Sequence, residues 1–200
     1  MVAKKTMDFS PIREKLVAMI GAARDAFNRH SRASLEQFKT LEEATRQEIA
    51  AAKKKVGEYL AQAKGEEKDQ FSLYQKILTA LEGLVTTLAG LREPIQKKVK
   101  DSVLFSEKAV LQTNCLFDTQ TGLIRSIFDI IQTNNDYLKK FVREEGGKVQ
   151  KDCADYATEH ETRLVEGLCT PQAAPIFLAI LEQFRSLGKQ EAELVQHFQG

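Results

Sequence analysis

Apolar residues in this 200-residue chain recur at steps of three and four from end to end, and that period constrains the fold more than any other feature. On an α-helix, residues spaced this way line one face, whereas a half-buried strand needs strict alternation. No alternating run occurs, and there is no Asn-Gly or Asp-Gly hairpin turn. The chain therefore reads as all-α.

Six helical stripes follow. Ser10-Pro11 reads as a serine cap with proline at the first helical position, opening a helix that carries Ile12, Leu16, Met19, Ile20, Ala23 and Phe27. After a break near His30, Ser34-x-x-Gln37 fits a capping box for a second helix with Leu35, Phe38, Leu41, Ile49, Val56 and Leu60. Gly65 and the polar run behind it mark the next turn. The third stripe is Ile77, Leu81, Leu84, Leu88, Leu91 and Ile95, suited to shallow helix crossings, with a break expected between Pro94 and Asp101-Ser102. A fourth helix from about Ser106 carries Val110, Leu116, Phe117, Ile124, Ile127 and Ile131. A fifth, after the turn residues 133–136, carries Leu138, Phe141, Val142, Val149, Cys153, Tyr156 and Leu164. Thr170-Pro171 reads as the cap of a sixth with Phe177, Leu181, Phe184 and Leu187, and Pro175 is expected in its first turn.

The two halves align without gaps at a shift of 100 residues: Leu16 meets Leu116, Phe38 meets Leu138, Ile49 meets Val149 and Leu81 meets Leu181. Since 100 is not a multiple of seven and the breaks coincide as well, the reading is two three-helix units, about 8–100 and 101–198. Each is too small to bury its stripe alone, so both are expected to pack into one domain over 1–200. A chain of this length buries roughly 70% of its unfolded surface, enough for a real core.

Composition excludes several roles. A net charge of +1 lacks the basic excess that broad nucleic-acid binding needs. No stretch approaches the ~18 apolar residues of a membrane span, and the two lysines near the start precede no apolar segment of a secretory signal. A cytoplasmic protein is expected. Cys115, Cys153 and Cys169 form no CxxC and are odd in number, so they read as reduced thiols acting as small core residues.

Two stretches carry a family resemblance. Phe105, Ser106 and Ala109 fit an FSxxA entry to a second repeat. His160, Arg163, Leu164, Gly167 and Cys169 fit an H-x-x-R-L-x-x-G-x-C/S stretch that closes its second helix. Over residues 70–190 the sequence resembles the PhoU-like domain of bacterial sodium/phosphate cotransporters. The resemblance implies a PhoU-like six-helix bundle of two repeated three-helix units. It also implies a non-enzymatic accessory or regulatory role in phosphate uptake, with a membrane phosphate transporter or phosphate-sensing protein as partner. Dimerisation through an apolar stripe and attachment at the inner face of the membrane are compatible with it. A metal-free helical interaction module unrelated to phosphate is the alternative.

Members of the wider PhoU family hold metal ions with Glu-x-x-x-Asp on the third helix of each repeat and a similar pair on the second. Residues four apart on a helix can converge on one hard cation. Here Glu82 and Glu182 occupy the glutamate positions, but Thr86 and Ser186 stand where aspartate belongs. The second-helix aspartates fall at Ala50 and Gln150, and Gly146 takes a glutamate position. One carboxylate per repeat cannot offset the dehydration of a divalent ion. The two glutamates are expected to be solvated or locally paired remnants, with no cofactor bound.

No catalytic constellation is legible. His30, His160 and His197 lie far apart and in no HExxH motif. His160 reads as a packed or hydrogen-bonded histidine whose pKa Glu159 and Glu161 would raise on approach. A helical-bundle metalloenzyme would need Glu-x-x-His pairs, and none is present. Gly146-Gly147 reads as a kink or a close helix approach. Lys53-Lys54-Lys55 and Lys139-Lys140 read as solvated faces. Lys97, Lys98 and Lys100, at the junction of the halves, are the candidate interaction surface, for anionic headgroups or a transporter's inner surface.

Overall fold

The computed structural model describes residues 7–198, and within them the chain is helical throughout, with no strand. Six long helices and one short one follow in order: α1 Ser10–Arg29, α2 Arg32–Leu60, α3 Glu66–Ala89, α4 Arg92–Lys100, α5 Glu107–Thr133, α6 Asp136–Val165 and α7 Ala173–Gln196. α1, α2 and α3 form one three-helix unit and α5, α6 and α7 the other. They are joined where α1 packs on α5 and where α3 and α4 pack on α7. The stripes of the first, third and sixth expected helices are all buried, because those are the faces the two units share.

The helix expected over the third stripe is interrupted at Gly90-Leu91, which separates α3 from α4. Pro94 then falls in the first turn of α4, where its missing N–H costs nothing. Phe141, expected on the buried line of its helix, is exposed, while its neighbour Val142 is buried.

Three cap assignments shift by a residue or more. Ser10 lies inside α1, and its N–H donates to the Asp8 carboxylate at 2.9 Å, which holds that carboxyl below its ordinary range. α2 is capped by Ser31, whose Oγ accepts the Ser34 N–H at 3.1 Å, rather than by Ser34 itself. α7 starts at Ala173, beyond Thr170-Pro171, and the Thr170 hydroxyl donates to the Leu104 carbonyl instead. Ser106, near the expected start of the fourth helix, caps α5, and Asn135, within the turn 133–136, caps α6. Short polar side chains compete closely as caps, so local sequence places a helix start only to within a few residues.

α6 and α7 come closest at Gly146 and Gly188. A Cβ on Gly146 would lie 2.5 Å from the Gly188 carbonyl oxygen, and one on Gly188 would lie 2.8 Å from that of Gly146. The glycine pair is a close helix approach, and Gly147 beside it faces open space.

Candidate functional site

Glu82 and Glu182 are both paired with cations. Glu82, on α3, accepts from Lys53 Nζ of α2 at 2.5 Å. One turn on, the Thr86 hydroxyl donates to the Glu82 carbonyl and accepts from Arg46 of α2 at 3.2 Å. Arg46 also pairs with Glu42, which in turn meets Arg92 of α4. Glu182, on α7, is held by Arg185 at 2.8 Å, beside Gln150, Ser186 and Lys189. In each unit, a basic side chain stands next to the glutamate. Among the described residues no group of three or more His, Cys, Asp or Glu side chains is placed to hold a metal ion.

The position of Gly146 explains part of this arrangement. A glutamate there would need its Cβ inside the Gly188 backbone, so the α6–α7 contact leaves no space for an acidic side chain. The matching residue of the first unit, one hundred positions earlier, is Arg46, whose guanidinium reaches Thr86 of α3.

The lysine cluster at the junction divides. Lys97 and Lys100 are exposed, but Lys98 is 3% exposed and drops out of the expected surface. Its ammonium donates to the Phe27 carbonyl in the last turn of α1 and to His30 Nε2, both at 2.9 Å, and lies over the Phe27 and Phe105 rings. The helix end has orphan carbonyls and a partial negative charge, so a buried cation there is compensated. Burial still pulls its pKa down to about 8. Lys139 is likewise buried rather than solvated, donating to Asp136 and to the Phe198 carbonyl.

Lys100 instead lines a groove between α2 and α4. Its walls are Arg32, Leu35, Glu36 and Lys39 of α2 and Arg92, Gln96, Val99 and Lys100 of α4, and its volume is about 630 Å³. Four of its six polar side chains are cationic, and sequence reasoning missed five of the six. Arg32 and Lys39 lie some sixty residues before Lys100, and no local run links them.

Two further polar side chains are buried. His160 packs on the Phe177 ring at 4.8 Å with neither ring nitrogen hydrogen-bonded. Burial, then Arg163, lowers its pKa, the reverse of the rise that Glu159 and Glu161 would cause. Glu191, fully buried on α7, accepts from Gln120 of α5 at 3.2 Å, and burial pushes its carboxyl well above the ordinary range. The shift of 100 pairs them with Leu91 and Ile20, both apolar and buried, so comparing the two halves residue by residue would have exposed the pair. Of the cysteines, Cys153 is buried with its thiol pushed up to about 12. Cys169 is half-buried, and Cys115 is exposed rather than a core residue.

The arrangement has a solved counterpart. It superposes on the crystal structure of PhoU from Pseudomonas aeruginosa with a TM-score of 0.85, over 95% of this chain and 91% of that one, at 10% sequence identity. The fold is PhoU-like. No protein-family model matches the sequence, and no curated protein matches it. Glu82 lies on α3 and Glu182 on α7, the third long helix of each unit. Among the described residues no helix is long and apolar enough to cross a membrane.

Proposed function

We propose that this chain is a non-enzymatic accessory or regulatory protein of phosphate uptake that works by binding protein partners. The observation that carries the reading is the likeness to PhoU along nearly the whole of both chains. In this reading the partner is a membrane phosphate transporter or a phosphate-sensing protein, and the chain works in the cytoplasm at the inner face of the membrane. The relation to sodium/phosphate cotransporters rests on Phe105, Ser106 and Ala109 and on the His160–Cys169 stretch.

The pairing of Glu82 with Lys53 and of Glu182 with Arg185 supports a second element: the acidic metal motifs have been given up, and basic side chains stand in for the ions. A tethered ammonium or guanidinium neutralises a carboxylate without the multiple oxygen ligands a divalent ion requires. The purified chain is therefore expected to bind manganese, zinc or iron at well below one ion per molecule by elemental analysis. Stoichiometric metal would instead revive a metalloprotein.

The function itself is tested by affinity capture of the tagged chain from phosphate-starved and phosphate-replete cells. A phosphate transporter subunit or sensor enriched under one condition is the expected result. Partners unconnected with phosphate would favour an interaction module of another pathway, and no partner under either condition would overturn protein binding as the role.

A further inference from the structure

We propose that the groove between α2 and α4 is the docking surface for an acidic, amphipathic segment of a partner protein. The inference deepens the protein-binding reading above and rests on it.

The shape comes from two short helix faces laid side by side. Arg32, Leu35, Glu36 and Lys39 follow one another at steps of three, one and three, so they share a face of α2. Arg92, Gln96, Val99 and Lys100, at steps of four, three and one, share a face of α4. At 1.5 Å per residue each face is roughly 10–12 Å long, the length of about two helical turns. Leu35 and Val99 are the buried apolar part of the lining, and cations are its first and last residues on each helix. A groove lined by apolar residues between cations matches a helix whose apolar side faces the groove and whose acidic residues reach both walls. A bilayer surface is flat and would meet a convex face, and a volume of about 630 Å³ is many times that of a single phosphate.

The charge is local and unspent. The chain as a whole carries 29 basic and 28 acidic residues, so composition gives no reason for four cations and one carboxylate to share this lining. Arg32, Lys39 and Lys100 make no ion pair or hydrogen bond within the described chain, and Arg92 engages Glu42 through one nitrogen, leaving further donors. The first turn of α2, whose free N–H groups carry partial positive charge, begins at the Arg32 end. Complementary charge of this kind selects and orients an acidic partner.

The test uses the full chain and a fluorescent two-turn amphipathic peptide with glutamates flanking a leucine stripe. The same peptide with glutamine for glutamate, inorganic phosphate and vesicles containing phosphatidylglycerol serve as the other probes. The acidic peptide is expected to bind, with affinity that falls as salt rises and at least a tenfold loss in R32E/K39E. Reversal of exposed cations outside the groove, K54E/K151E, should change it less than twofold. K100E supplies an independent reversal from the opposite rim should the double variant fail to fold, as judged by circular dichroism. No binding by the wild type, equal binding by the reversed variants, or groove-dependent binding of phosphate or vesicles in place of the peptide would overturn the assignment. Cellular capture separates the two levels: a partner retained by R32E/K39E sinks the groove alone, whereas no partner for the wild type sinks the protein-binding role.

Discussion

Glu191 and His160 are ionisable groups enclosed without adequate partners, and each leaves a pH signature. The Glu191 carboxyl titrates well above its ordinary range because burial disfavours the anion. Between the ordinary glutamate pKa and the raised value, the folded chain keeps a proton that the unfolded chain has released. Stability therefore falls as pH rises through that window, with a slope approaching ~1.4 kcal/mol per pH unit. Glu191→Gln removes the linkage and offers Gln120 an amide donor. Its stability advantage over the wild type should grow from pH 4 to pH 7 in urea titrations, and a pH-independent gap would refute the buried proton. His160 has the opposite sign. Its pKa is lowered, so below the ordinary histidine range the unfolded chain binds more protons and stability drops as pH falls. Both ring nitrogens lack partners, so His160→Leu loses no hydrogen bond and should stabilise the fold by about 1 kcal/mol. The gain should widen between pH 7 and pH 5; a gain that stays constant would mean the imidazole protonates freely.

At the scale of the helix, Gly146 and Gly188 set the distance between α6 and α7. An alanine at 188 would bring its Cβ to 2.8 Å from a backbone oxygen and 3.1 Å from Val149, and neither can retreat without separating the helices. Gly188→Ala should destabilise by about 1–3 kcal/mol, the usual cost of overpacking. Gly147→Ala, in the same helix but facing open space, should stabilise by about 0.5–1 kcal/mol through reduced backbone freedom in the unfolded chain. Thermal denaturation of the two variants side by side checks the pair of signs. Two losses would mean helix propensity is not what governs position 147, and two gains would mean the helices stand further apart. The same contact excludes a carboxylate, like any other side chain, from position 146.

Across the whole molecule, one aromatic chain links the two units. Phe27 of α1 meets Phe105 at 5.3 Å and Phe117 of α5 at 6.2 Å. Phe105 continues to Phe177, and Phe117 to Phe184 at 5.0 Å, both on α7. Lys98 seals the cluster from α4. A core shared in this way should unfold in one transition. Phe27→Ala is expected to cost about 3–5 kcal/mol and to lower hydrogen-exchange protection in α3 and α7 together. Loss confined to the first unit, or two resolved transitions, would show that the halves are separate domains.

What was legible in the sequence follows from what is local. A side chain's place on a helix face depends on its own segment, so the all-α class, the buried stripes and most breaks could be read from spacing alone. The two isolated carboxylates could be read the same way, since each lacks an acidic neighbour four residues on. Which faces meet, and how closely, depends on contacts between segments tens of residues apart, and no period encodes that. Tertiary packing alone buried Lys98 under the end of α1, closed α6 on α7 at a pair of glycines and enclosed Glu191 with Gln120. It also assembled a cationic groove from residues 32–39 and 92–100, whose charges are scattered in the chain and gathered only by the fold.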